Sequence, residues 1–262
     1  MPLSTPPEDH QAMAGIEVCF SPALYPYIQL KPPFTVVVVD ILRATTAFAA
    51  ALHHGVKEII PVETLEEARE YKAKGYKVAA ERDGSVLDFA DYGNSAFSFT
   101  KGQARGETIA YSTTNGTQAI ATAKEADEVV CGAFSNLSVL CQYLTQKKQD
   151  ILILCAGWKQ TFCLEDSLFA GALAHRLIAA GSHQSVSDSS LAALELWERG
   201  RKDPLAYIQQ AQHRERLRLL KADDVLEYTF SPDAAPVIPG LRNKRLVDIT
   251  KPNIKSSKNQ NQ

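Results

Sequence analysis

The chain has 262 residues, 45% of them hydrophobic and 22% charged, the proportions of a globular protein long enough to bury a core without disulfide or metal staples. Its 28 Lys and Arg stand against 30 Asp and Glu, a formal net charge of −2, without the basic excess of a nucleic-acid binder. The opening MPLSTPPEDHQ lacks a basic stretch followed by an apolar one, so no secretory signal is expected. The longest apolar run, TVVVVDILRATTAFAAAL, carries Asp40 and Arg43 and is too short and polar to span a membrane.

Residues 1–14 are rich in Pro, Ser and charge and read as a flexible N-terminus. A single α/β domain is expected over 15–248, followed by a disordered tail over 249–262 with almost no apolar content. Within the domain the pattern alternates. Val36–Val39 is apolar on both faces, as a central strand requires. Thr45–His54 reads as an Ala-rich helix stopped by Gly55. Ile59–Val62 is a short strand. Thr64–Ala73 is a helix with Thr64 and Glu67 spaced as a capping box, and Tyr76–Ala80 is a third strand. Asp83–Thr100 lacks periodicity and reads as a long functional loop. Strand, helix, strand, helix and strand follow at Thr108–Tyr111, Gly116–Lys124, Glu128–Cys131, Asn136–Thr145 and Ile151–Cys155. Glu165–Ala180, Ser187–Arg199 and Pro204–Lys221 read as helices, and Val237–Val247 contains a last short strand. This order predicts a three-layer α/β/α arrangement with a mainly parallel or mixed sheet.

The stretch from Val36 to Ala68 is echoed from Thr108 to Leu140: strand, polar turn, Ala-rich helix, strand, helix. Arg43-Ala44-Thr45 falls against Asn115-Gly116-Thr117. A duplicated βαβ unit is expected, with both turns at one edge of the sheet.

Ligands of open α/β sheets bind beyond the carboxyl ends of strands. Three such ends are polar here: Asp40–Thr46, Ser112–Thr117, and Cys155–Trp158 followed by Glu165 and Asp166. Thr113, Thr114, Asn115, Gly116 and Thr117 form a strand-to-helix turn whose hydroxyls and N–H groups suit an anion, though the same residues serve as plain caps. Thr45 takes the matching place in the first turn, where Arg43 adds a fixed charge able to grip two oxygens. Asp40 closes a buried strand, so its carboxylate must be solvated, paired with Arg43 or bound to a metal. Glu81 and Arg82 follow the third strand, and Asn94 and Ser95 lie in the long loop as candidate substrate contacts. Asp40, Glu81, Glu165 and Asp166 offer the hard oxygens that Mg²⁺ prefers. Asp40, Arg43, Glu81 and Asp166 are the candidates for catalysis.

Other groups carry less. Cys19, Cys131, Cys141, Cys155 and Cys163 form no CxxC pair or Cys/His cluster in sequence and read as reduced, buried thiols of a cytoplasmic protein. No Cys-x5-Arg loop follows Cys155. His53 and His54 sit at a helix end, His175 and His183 read as helix surface, and Trp158 reads as a pocket cover or core filler. GxxxxGK[ST], GxGxxG and GxSxG are absent from the sequence.

Together the motifs VVVVDILRATT, ERDG, DYGNS, TTNGT and CAGW followed by LED, with the closing HRERLRLLKADDVLEYTFSPDAAPVIPG, resemble the ComB family, the magnesium-dependent 2-phosphosulfolactate phosphatases. The resemblance covers residues 15–248. It implies an α/β/α architecture of its own kind, Mg²⁺, and hydrolysis of 2-phospho-3-sulfolactate to sulfolactate and phosphate, a step toward coenzyme M. The expected partner is thus a small anionic phosphorylated substrate, not nucleic acid or membrane, and a homodimer is the assembly that base rates favour. Two other readings stand beside it. One is a haloacid-dehalogenase-like phosphatase, whose second Asp is replaced here by Leu42. The other is an anion-binding protein without turnover.

Overall fold

The computed structural model describes residues 13–82, 85–219 and 225–251. Its strands are β1 (Ala14–Cys19), β2 (Phe34–Val39), β3 (Glu58–Pro61), β4 (Lys77–Arg82), β5 (Ser85–Val86), β6 (Thr108–Ser112), β7 (Glu128–Gly132), β8 (Asp150–Cys155), β9 (His183–Ser185), β10 (Pro239–Arg242) and β11 (Arg245–Asp248). The helices are α1 (Ala44–His53), α2 (Leu65–Ala73), α3 (Gly116–Thr122), α4 (Leu137–Lys147), α5 (Leu164–Ala179), α6 (Asp188–Gly200), α7 (Pro204–Tyr207), α8 (Gln212–Leu219) and α9 (Leu226–Thr229). None is long and apolar enough to cross a membrane.

The strands join in one sheet of order β5-β4-β6-β3-β11-β10-β7-β2-β8-β1-β9. The four valines of β2 explain its central place. Val37 and Val39 point into the core formed with Leu140 and Leu144 of α4 and Phe169, Leu173 and Leu177 of α5. Val36 and Val38 point to the other face, into the core with Phe48 and Leu52 of α1 and Ile120 of α3. A strand buried on both faces must be apolar throughout, and each valine so buried stabilises by about 1.5–3 kcal/mol. Helix α1 is buried at every residue from Ala44 to Leu52, which its alanines permit, since only small side chains fit against neighbours all round. The α/β/α layering expected from sequence is the observed one, and Thr64 caps α2 in the expected box with Glu67.

Two parallel blocks make up the sheet. β4, β6 and β3 form one, and β7, β2, β8, β1 and β9 form the other. The antiparallel β10–β11 hairpin joins them, through one residue pair on each side, Gly240 with Val130 and Leu246 with Ile59. Three successive antiparallel steps reverse the sense between blocks. The turns after β2 and β6 were expected at one edge of a single parallel sheet, whereas the two strands belong to blocks of opposite sense. The turns do touch: a Cβ on Gly116 would stand 2.5 Å from Ala44 Cβ.

Other sequence expectations need correction. The last strand is a hairpin set in mid-sheet. β1 and β9 extend the sheet where no strand was expected, and Ala14 already belongs to β1. The loop over 83–100 contains β5 and a 3₁₀ turn at Ala96–Ser98. The single helix expected over 204–221 is broken at Ile208–Gln210 into α7 and α8. Flexibility of 1–12 and disorder of 252–262 fall outside the described residues.

Candidate functional site

Asp40 directly follows β2 and lies at the centre of the site. Its Oδ1 accepts from Ala44 N at 3.1 Å, so the carboxylate is fixed over the start of α1. Its backbone is locked by Thr45, whose Oγ1 accepts from Asp40 N at 3.0 Å and donates to Asp40 O at 2.9 Å. Thr45 thus holds the turn. Burial pushes the Asp40 carboxyl up to about 6, against the bond from Ala44 and the nearby His213, with Glu81 and Glu165 adding repulsion.

Arg43 does not pair with Asp40. Its Nη2 donates to Glu81 Oε2 at 3.0 Å, with both side chains buried. The Leu42–Arg43 peptide bond is cis. Asn94 Nδ2 reaches the same Glu81 oxygen at 3.4 Å, and Asn94 Oδ1 accepts from the buried Tyr111 hydroxyl at 3.0 Å. The third strand end and the long loop are thereby tied to the first turn. Arg82 turns aside: its guanidinium donates to Glu81 O and to Ser112 Oγ. Ser95 caps the 3₁₀ turn through Phe97 N.

In the second turn Thr117 does for Thr113 what Thr45 does for Asp40. Its Oγ1 accepts from Thr113 N at 3.3 Å and donates to Thr113 O at 3.2 Å, while Thr117 N donates to Thr113 Oγ1 at 3.1 Å. Asn115 Oδ1 accepts from Lys159 N at 3.0 Å. Gly116 leaves no room for a side chain, since its Cβ would stand 2.8 Å from Asp40 Oδ2. Thr114 differs from its neighbours: its Oγ1 is buried with no hydrogen-bond partner.

Asp166 works as a clamp. Oδ1 accepts from Ile41 N at 2.8 Å and Oδ2 from Gly157 N at 3.0 Å, joining the loops after β2 and β8. Burial and the Glu165 and Asp40 charges raise its carboxyl well above the ordinary range, opposed by these two bonds. Glu165, one residue earlier, faces elsewhere. Its Oε1 meets His213 Nδ1 at 2.6 Å and the Cys163 thiol at 2.8 Å. Burial would raise Glu165, but the bond and charge of His213, the Cys163 bond and its own backbone N–H together hold the carboxyl below the ordinary range.

These placements create one pocket. Asp40, Arg43, Glu81, Asn94, Thr113, Thr114 and Asn115 line it, joined by Leu42, Trp158, His213, Arg216 and Leu217. Of the residues singled out from sequence, Thr45, Arg82, Ser95, Gly116, Thr117, Glu165 and Asp166 stand behind or beside this lining. His213 and Arg216, both on α8, went unremarked in the sequence. The Arg216 guanidinium lies 3.7 Å from the Trp158 ring centre, and His213 packs against the same indole at 5.0 Å. Their one sequence signal is the HRER run of the closing motif, which reads as an ordinary charged helix face. Cys155 is buried, with burial raising its thiol well above the ordinary value, which removes it as a nucleophile.

The 2-phosphosulpholactate phosphatase family model matches residues 19–244. A probable 2-phosphosulfolactate phosphatase of Thermotoga maritima is 35% identical over 209 residues, 80% of this chain and 89% of its own length. A protein of the same description from Caldanaerobacter subterraneus is 32% identical over 212 residues, 79% of this chain and 88% of its own length. A third, from Synechococcus sp. strain CC9605, is 37% identical over 193 residues, 71% and 79% of the two lengths.

Proposed function

The chain belongs to the 2-phosphosulpholactate phosphatase family, and on that premise we propose that it is a Mg²⁺-dependent phosphomonoesterase releasing phosphate from 2-phosphosulfolactate in the pocket over Asp40. One observation carries this reading. Two buried carboxylates, Asp40 and Glu81, meet the Arg43 guanidinium and the partnerless Thr114 hydroxyl in one small pocket.

The donor set fits Mg²⁺. Asp40, Glu81, Asn94, Thr113, Thr114 and Asn115 offer hard oxygens, and Mg²⁺ takes one or two carboxylates, keeps several waters and completes its shell with phosphate oxygens. Asp40 and Glu81 would hold it, and the ion would supply Lewis-acid polarisation of the phosphoryl group. Asp166 is committed to two backbone N–H groups and Glu165 to His213 and Cys163, so neither belongs to this set.

The protein's own groups handle the anion. Arg43, oriented by Glu81, sets a cation against the phosphoryl oxygens as their charge develops. Arg216, laid on Trp158, sets a second cation on the pocket lining, for the carboxylate or sulfonate of the same molecule. The Thr114 hydroxyl donates to an anion oxygen and so gains the partner it lacks. Trp158 and Leu217 supply an apolar part of the lining, and a less polar surrounding strengthens each of these interactions. The five free thiols suit a reducing compartment, and the reading sets the protein in the cytoplasm.

The test is phosphate release from 2-phosphosulfolactate by the purified chain, with Mg²⁺ and with EDTA. Turnover only with Mg²⁺, abolished by Asp40→Asn at unchanged circular dichroism, is the expected result. Binding of the substrate without turnover would mark an anion-binding protein, and an unchanged kcat in Asp40→Asn would remove Asp40 from the reaction.

A further inference from the structure

We propose that Cys163, Glu165 and His213 form a binding site for a divalent cation of the zinc class, adjoining the oxygen-lined pocket over Asp40, with which it shares His213. Cys163 and His213 lie 50 residues apart in the chain and are brought together only by the docking of α8 on the start of α5. Sγ, Oε1 and Nδ1 stand 2.8 Å (Sγ–Oε1), 2.6 Å (Nδ1–Oε1) and 3.6 Å (Sγ–Nδ1) apart. Among the described residues these three form a cluster of His, Cys and carboxylate groups close enough to share an ion.

The donor set selects the metal. Thiolate, imidazole and one carboxylate suit Zn²⁺ and its neighbours, whereas Mg²⁺ takes oxygens. Tetrahedral shells with bonds of about 2.0–2.3 Å set neighbouring donors roughly 3.3–3.8 Å apart, a spacing the sulfur and nitrogen already have. The two shorter contacts are hydrogen bonds that close the cluster on itself. Glu165 holds a second oxygen in reserve: Oε2 is fully buried and has no hydrogen-bond partner. An unsatisfied buried carboxylate oxygen is costly, and a coordinated ion removes that cost. On binding, the Cys163 thiol gives its proton to solvent, and His213 gives up the Nδ1 proton it shares with Glu165 and stays neutral with its proton on Nε2, which leaves Nδ1 as ligand. One thiolate and one carboxylate then balance the two charges of the ion, so no net charge stays buried. A groove bordered by Thr161, Phe162 and Gln212 is lined by the three ligands as well, so an ion can reach them. The ion would pin α8, and with it the Trp158–Arg216 wall, to α5. Metal binding there does not require phosphatase activity.

Cobalt reports the site directly. The full chain, stripped with chelator and titrated with Co²⁺, is expected to take up one equivalent with a thiolate-to-cobalt charge-transfer band. Zn²⁺ should displace it, and Mg²⁺ in large excess should not. Cys163→Ser is expected to abolish the band, and His213→Gln to keep the band but weaken affinity at least about 100-fold. Cys141→Ser, altering a cysteine outside the cluster, should change neither. Cobalt uptake without a thiolate band, or a band surviving Cys163→Ser, overturns the proposal. If Cys163→Ser fails to fold by circular dichroism, His213→Gln decides: unchanged affinity overturns the site.

Discussion

Arg43 Nη2 and Glu81 Oε2 stand 3.0 Å apart with both side chains buried, so the cation facing the pocket is held by one of its two carboxylates. Breaking such a pair leaves a buried charge without its partner, at a cost of about 3–5 kcal/mol. Arg43→Ala is therefore expected to lower stability by roughly that amount in urea unfolding. It should also cut kcat/KM for phosphate release by about 10²–10³-fold if the guanidinium faces the transferring phosphoryl group. A stability loss with kcat/KM unchanged would leave Arg43 a structural partner of Glu81 alone.

At Gly116 the second turn packs directly against the first. A methyl there would stand 2.5 Å from Ala44 Cβ and 2.8 Å from Asp40 Oδ2, and both neighbours belong to buried, tightly held backbone. Gly116→Ala is expected to destabilise by about 1–3 kcal/mol through overpacking and to displace the Asp40 carboxylate. The double variant with Ala44→Gly removes the first clash but not the second. It should regain part of the melting temperature and none of the activity. Full recovery of activity in the double variant would show that Asp40 had not been moved.

The turns were legible in sequence because their chemistry is local. The alignment set Thr45 against Thr117, and both hydroxyls bridge the N–H and C=O of the residue just after the preceding strand. The valines of β2 and the capping box of α2 were legible for the same reason. What escaped depends on long-range docking. The hairpin that reverses the sense of the sheet pairs only Gly240 and Leu246 with their neighbouring strands, and no local pattern encodes that. His213 and Arg216 join the pocket only because α7 and α8 break from one another and turn back over Trp158. Glu165 and Asp166 are adjacent acids in sequence, yet α5 points one at His213 and the other at Gly157 N.

Asp166 gives the next prediction. Each of its oxygens receives a backbone N–H, so Asn would keep one acceptor and turn a donor toward the other N–H. Asp166→Asn is expected to cost about 1–3 kcal/mol and to loosen the loop that carries Asp40 and Arg43. Gly157, at φ +63° and with space for no Cβ beside Thr161 O, holds a turn that only glycine fits. Hydrogen exchange at Ile41 and Gly157 should accelerate in the variant, and unchanged exchange would exclude the clamp.

The hairpin seam should weaken in acid. Glu128 on β7 accepts from Tyr143 at 2.7 Å and pairs with Lys147 at 3.0 Å and with Arg242 of β10. Burial would raise its carboxyl, but the Arg242, Tyr143 and Lys147 bonds together hold it below the ordinary 4.5. The folded state thus binds the Glu128 proton less readily than the unfolded one. The pair's contribution is complete above the unfolded value and is lost as pH falls through the lower, folded one. Stability should decline below about pH 4.5 in wild type. Glu128→Gln should cost about 1–3 kcal/mol at neutral pH and show a shallower acid decline, because one group no longer titrates. Equal slopes in the two proteins, measured by urea unfolding between neutral and acid pH, would show that Glu128 does not fasten β10 to β7.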